Sequence, residues 1–422
     1  MRGGKRMVHI TADSRLSWLR LALATLAATV GGVGMWSVVV ALPAVEAEFG
    51  ISRAAASLPY TLTMVGFALG GVAFGRAVDR FGLARPLAVA GIALGLGYAG
   101  AAAAQNLWQF ALAQGLLIGA ASSIGFGPLM AEVSHWFHRH RATAIAVCAA
   151  GNYLAGAFWP PVMQQMMAAQ GWRVAHLVIG LTCVAVLVPL AWTLRRPAVR
   201  PAAGTAPPPA AMPVARPAGG TLPLSPAALQ VSLWVAGIAC CVAMATPQVH
   251  IVAYCGDLGY GVARGTQMLA LMLACGIVSR VASGWVADRI GGLRTLLLGS
   301  VLQGVALVLY ALFDGLLSLY VISALFGLFQ GGLVPSYAIV VREHFPAAEA
   351  GERVGKTLMA TLLGMALGGW LAGRIFDWSG GYHAAFVHGL AWNLLNITVI
   401  GWLLWLATRH NATGGRLARA AG

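Results

Sequence analysis

Apolar residues run along this chain in long blocks, separated by short polar joints that carry most of the charge. A helix of ~20 apolar residues crosses the ~30 Å hydrocarbon layer of a bilayer. It also closes its backbone hydrogen bonds within itself, as lipid demands. The pattern predicts twelve spans, at roughly 17–45, 54–76, 86–104, 107–132, 142–168, 172–194, 227–254, 265–287, 293–313, 316–341, 354–375 and 384–408. Small residues recur inside them, as in Gly31, Gly32 and Gly34, or the pairs Gly66/Gly70 and Gly71/Gly75. Such spacing lets helix backbones approach closely in lipid.

The pattern fails once, over 195–226, where Pro and Ala crowd together with a few Arg. That stretch neither buries a core nor enters lipid, and reads as a cytoplasmic linker of polyproline character. The predicted organisation is a tail at 1–16, six helices at 17–194, the linker at 195–226, six helices at 227–408 and a tail at 409–422.

One polar joint organises the rest. Gly75, Asp79, Arg80, Gly82 and Arg85 follow the second span, and Gly284, Asp288, Arg289, Gly291 and Arg294 follow the eighth. Every member is displaced by the same shift, about half the chain, which marks an internal duplication. Two bundles related by pseudo-symmetry are expected.

Composition agrees with a membrane protein: 59% of residues are apolar and 9% charged, too little polar surface to cover a soluble core of this size. The net charge of +15 raises nucleic acid as a partner, and its placement argues against it. With the N-terminus inside, Arg76, Arg80, Arg85, Arg139, Arg141, Arg195, Arg289, Arg294, Arg342 and Arg353 share one side. Arg53, Arg173, Arg264 and Arg374 are left on the other. This positive-inside bias sets both termini in the cytoplasm. The first apolar run exceeds a signal-peptide core and is expected to stay as a span. The six cysteines show neither metal spacing nor a disulfide framework.

The Gly75-x-x-x-Asp79-Arg80-x-Gly82-x-x-Arg85 loop and its echo resemble the signature loop of the major facilitator superfamily, and the six-plus-six layout is similar across almost the whole chain. The resemblance implies an all-α major facilitator fold of twelve transmembrane helices in two pseudo-symmetric six-helix bundles. It implies that Gly75 permits close helix packing, that Asp79 caps or pairs with a neighbour, and that Arg80 and Arg85 help lock the outward-facing state. Within the superfamily, three stretches resemble the bacterial monocarboxylate and oxalate–formate exchanger branch: Met35–Pro43 with Glu46 and Glu48, Pro247-x-x-His250 with Tyr254 and Asp257, and Arg280 one turn before Gly284. The resemblance makes Arg280 a substrate-binding arginine. Two positions depart from that branch: Gly276 stands where an aspartate is common, and Trp36 lies near where a lysine is.

Arg280 is reached from the residues as well. It lies eight positions before Asp288, hence ~12 Å deeper than the loop at 1.5 Å per residue. A charge at that depth is costly and usually faces a cavity and serves function. The same shift takes Arg280 back to Gly71, so the duplication is broken here by a guanidinium, whose planar fork suits a carboxylate. The alternative is an arginine that snorkels to the surface or pairs with a helix-end carboxylate. His250 offers a titrating group for proton coupling, or a hydrogen-bonding residue near a helix end. Asn152, Tyr60 and Gln330 are polar groups on helices that line the cavity in this superfamily, and are candidate substrate contacts or interhelical glue.

Three other signals lead nowhere. Gly351–Thr357 is one residue short of a phosphate loop and opens a span with no strand before it. Gly95-x-Gly97-x-x-Gly100 sits inside a span, where helix packing explains it. His135, His138 and His140 are interleaved with Arg and lack a completing ligand. The expectation is a secondary transporter of the cell inner membrane, not an enzyme. It would move a small monocarboxylate-like anion by alternating access, with proton coupling through His250 left open. It would act as a monomer in the bilayer, without metal or cofactor. The competing readings are a drug/proton antiporter and a non-transporting membrane sensor on the same scaffold.

Overall fold

A computed structural model describes residues 13–137, 139–195 and 222–420. Most of the expected N-terminal tail, His138 and most of the linker lie outside these residues. Eleven helical stretches are long and apolar enough to cross a membrane. In chain order they open with α1 (Arg15–Phe49), α2 (Arg53–Phe81), α3 (Ala84–Ala102) and α4 (Leu107–Ser134). The fifth, Thr143–Thr193, has 51 residues, more than twice what the hydrocarbon layer needs. It turns at Gly171, whose φ of 82° and ψ of 163° are non-helical. It therefore divides into α5 (143–170) and α6 (172–193). The second half supplies α7 (Pro226–Asp257), α8 (Val262–Ile290), α9 (Gly292–Leu312), α10 (Leu316–His344), α11 (Glu349–Ser379) and α12 (Tyr382–His410). Among the described residues the twelve expected crossings are all present. The end bearing the Asp79 and Asp288 loops is termed inner, after the charge bias.

Large apolar side chains such as Leu69, Leu181 and Leu317 are exposed on the outside of the bundle, where lipid replaces water. Of the two expected glycine pairs, Gly66/Gly70 packs as the spacing predicts, whereas Gly71 and Gly75 have no close neighbour. A Cβ on Gly66 would overlap the Gly115 carbonyl of α4, and one on Gly70 would lie 2.6 Å from Ala120 Cα. From the other side, Gly119 faces the Thr63 backbone at 2.6 Å. The second half repeats this contact: Gly327 and Gly331 of α10 sit on the backbones of Met272 and Gly276 of α8. Backbone lies on backbone, so dispersion contact replaces side-chain interlock.

The fourth helix of each half is also broken. In α4 a π-wound segment at Ala113–Gly119 is followed by a break at Phe126, and the helix restarts before Pro128. In α10 the break falls at Gly331 and Gly332. Both signature loops turn on glycine: Gly82 has φ 74° and Gly291 φ 84°, values that L side chains rarely adopt.

The halves meet along α2–α11 and α5–α8, with α1 touching α7. Along α2–α11 the contacts run from Arg53–Asp377 at the outer end to a hydrogen bond from Thr61 Oγ1 to the Ala366 carbonyl (2.9 Å). Toward the inner end the helices part: Gly75, Gly284, Gly351 and Gly355 have no atom within 4 Å of where a Cβ would stand. The protein is closed at its outer end and open at its inner end.

Candidate functional site

Arg280 sits on the inner-middle part of α8, half-buried. Among the described residues no carboxylate pairs with it. Its Nε donates to the Gly331 carbonyl at the break in α10 (3.4 Å), and its Nη1 to the Ala149 carbonyl of α5 (3.3 Å). Its Cζ lies 4.3 Å from the centre of the Tyr153 ring. Nη2 has no partner among the described residues. The guanidinium is thus held on two carbonyls and an aromatic face while one amino group stays free to donate.

Asn152 and Gln330 surround this point in sequence and space. The Asn152 carbonyl accepts from Trp36 Nε1 of α1 (3.2 Å), while its side-chain Oδ1 is buried without a partner. Gln330 is fully buried beside Gly331, and neither of its amide atoms has a partner. Buried polar groups are bonded in the great majority of cases. Both unpartnered groups lie next in sequence to residues that touch Arg280, though such groups also occur elsewhere in the bundle, as at Gln114, Gln230 and Gln248.

Tyr60 and His250 lie elsewhere. A Cβ on Gly369 of α11 would stand 2.9 Å from the Tyr60 ring, and His250 Nε2 contacts the Gly369 carbonyl at 2.8 Å. Counting residues from the outer helix ends, these two are about 15 Å nearer the outer surface than Arg280. The Tyr60 hydroxyl is buried without a partner. His250 is fully engaged, because its Nδ1 meets Tyr382 Oη at 2.9 Å. A carbonyl only accepts, so Nε2 carries the proton, and Tyr382 donates to Nδ1. The structure therefore gathers Arg280, Asn152 and Gln330 at one level, and Tyr60 with His250 at another.

His250 belongs to a network that closes the outer end. Arg53, read from sequence as an outer surface charge, is buried there. Its Nε reaches Glu46 (2.8 Å), its Nη2 reaches Asp257 (3.0 Å) and its Nη1 donates to Tyr382 Oη (2.7 Å). Asp377 accepts from the backbone N–H groups of Arg53 and Ala54, both at 2.9 Å, and so caps α2 from the other half. Glu46 and Arg53 come from the first half; Asp257, Asp377 and Tyr382 come from the second. The sequence signal was thin: Ser52 as an N-cap with a charge directly after it, and three carboxylates at outer helix ends.

The signature-loop charges behave differently. Among the described residues neither Asp79 nor Asp288 has a hydrogen bond or ion pair. Arg80 rests on Phe81 (5.2 Å) and Arg289 on Trp285 (3.3 Å), each within its own helix. The close packing expected at Gly75 does not occur in this inner-open arrangement.

Two six-helix halves that meet along α2–α11 and α5–α8, joined at the outer end by a charged network, have the layout of a polytopic membrane transporter. The Major Facilitator Superfamily profile matches residues 24–318 and 268–420, and the chain belongs to that superfamily. It is 29% identical to monocarboxylate transporter 13 of Bos taurus over 316 residues, 73% of this chain and 70% of that protein. It is 25% identical to the MFS-type transporter pynF of Aspergillus niger, over 73% of this chain and 69% of that one. Among solved structures, the fold matches a bacterial homologue of the human lysosomal transporter Spinster in an inward-facing, occupied conformation. That match has a TM-score of 0.68 at 16% identity, covering 93% of this chain and 95% of that one. It also matches a mutant of the nucleoside transporter NupG, with a TM-score of 0.70 at 13% identity, covering 92% and 99%. These similar proteins are transporters, not enzymes.

Proposed function

We propose that this transporter moves a small organic anion, monocarboxylate-like, across the cell inner membrane by rocking its two halves about one central site. The observation that carries this reading is Arg280: a mid-membrane guanidinium between the halves, without a carboxylate partner among the described residues and with Nη2 free. An uncompensated charge at that depth is costly, and a carboxylate bound there relieves it through charge-assisted hydrogen bonds. One cation suits one carboxylate. Asn152 and Gln330 orient the rest of the molecule, and Tyr60 lies on the path toward the outer face. His250 acts from the outer network, so proton coupling through it works by way of outer closure. The likeness to proteins named monocarboxylate transporters supports the same substrate class.

The test is uptake of labelled lactate, butyrate and benzoate into proteoliposomes, with and without a proton gradient. Arg280→Gln removes the charge at nearly the same volume. Saturable uptake that this variant loses by 100-fold or more is expected, a loss in the range of a buried charge-assisted contact. Equal uptake by the variant would make Arg280 a structural pin and turn attention to cationic drugs.

A further inference from the structure

Arg280 is aimed by a neutral partner from the opposite half. Ala149 and Tyr153 are one helical turn apart on α5, and Gly276 and Arg280 one turn apart on α8, so each pair shares a helix face. The two helices run in opposite directions. Ala149 therefore stands opposite Arg280, and Tyr153 opposite Gly276. The contacts agree with that register. The Ala149 carbonyl accepts from Arg280 Nη1 (3.3 Å), and the Tyr153 ring lies under the guanidinium. A Cβ on Gly276 would overlap the ring edge, with Cδ1 at 2.7 Å. The missing side chain of Gly276 leaves room for the ring.

We infer that Tyr153 is the positioning residue for Arg280 in anion binding, and that Gly276 serves by making room for its ring. This rests on the anion-carrier reading. The ring holds the guanidinium by cation–π attraction, which leaves the full positive charge available to the bound carboxylate. A carboxylate in the same place would compete with the substrate for the same donors. Because Tyr153 and Ala149 belong to the first half and Arg280 to the second, the aim of the guanidinium changes as the halves move. Anion affinity is thereby tied to the state of the transporter.

The experiment is a double-mutant cycle on the full-length protein, read in two ways: uptake kinetics for labelled lactate and butyrate, and melting temperature without substrate. Tyr153→Phe keeps the ring and is expected to stay within about twofold of the parent KM. Tyr153→Met keeps apolar volume and loses the π face. It should raise KM about tenfold, the size of a desolvated cation–π contact, with maximal rate largely retained. Gly276→Ala should do the same by displacing the ring. The double variant should be no worse than either single one, because both act on one stack. Multiplied effects in the double variant would overturn the inference, as would an unchanged KM in Tyr153→Met. If the parent moves neither carboxylate, the anion reading falls. The melting temperatures then decide the stack by themselves: additive shifts sink it and non-additive shifts keep it.

Discussion

The two ends of this protein are built from similar charges and use them in opposite ways. At the outer end Arg53 is buried among Glu46, Asp257 and Tyr382, and Asp377 caps the helix it begins. At the inner end Asp79, Arg80, Asp288 and Arg289 face open space or their own helix. The outer network joins residues whose helices belong to different halves, so it exists only while that end is shut. Charges that come together in one state and part in the other bias a two-state equilibrium instead of adding uniform stability.

The largest break in this comparison should come from Arg53→Gln. It leaves Glu46 and Asp257 without their cation while the backbone cap on Asp377 stays, and one partner missing from a buried ion pair is strongly destabilising. The expected result is a shift toward outer opening of about hundredfold or more. Spin labels at Ser52 and Ser379 should report it as a longer-distance population. An unchanged distance distribution would mean that the network does not hold the gate.

Tyr382→Phe is a smaller intervention. It removes the acceptor for Arg53 Nη1 and the donor to His250 Nδ1 while keeping the ring. Two hydrogen bonds at roughly 1 kcal/mol each predict a shift of about thirtyfold in the same label experiment. An effect equal to that of Arg53→Gln would place the whole gate on the tyrosine.

The smallest effects separate the ends most cleanly. Gly373 of α11 is pressed on α2, where a Cβ would lie 2.8 Å from Ser57 Oγ and 2.9 Å from the Arg53 carbonyl. Gly75 has nothing near it. Gly373→Ala should pry the outer end apart and lower the melting temperature of this inner-open state by several degrees, an overpacking cost of about 1–3 kcal/mol. Gly75→Ala should leave it unchanged within about 0.5 kcal/mol, as surface substitutions do. Equal effects would remove the asymmetry between the ends.

Much of this was legible in the chain. The span pattern and the repeated loop carried the fold, because lipid leaves so few ways to satisfy a backbone. Arg280 stood out because a deep charge is rare enough to need a reason. Of its surroundings Asn152 and Gln330 drew attention as polar groups, and Tyr153 did not. Tyr153 follows Asn152 in a run of small residues, and only the pairing of α5 with α8 sets its ring against Gly276. Arg53 read as a loop charge because its partners come from four other helices, a convergence that no local pattern announces. His250 drew attention as a titratable group. Its place in the outer network came from Tyr382 and Gly369, more than a hundred residues away.

The glycine seams between α2 and α4, and again between α8 and α10, have a mechanical consequence. With backbone resting on backbone, no long side chains are left there to flex or interleave in a second way. Each seam fixes the spacing of its two helices, so a displacement of one carries the other with it.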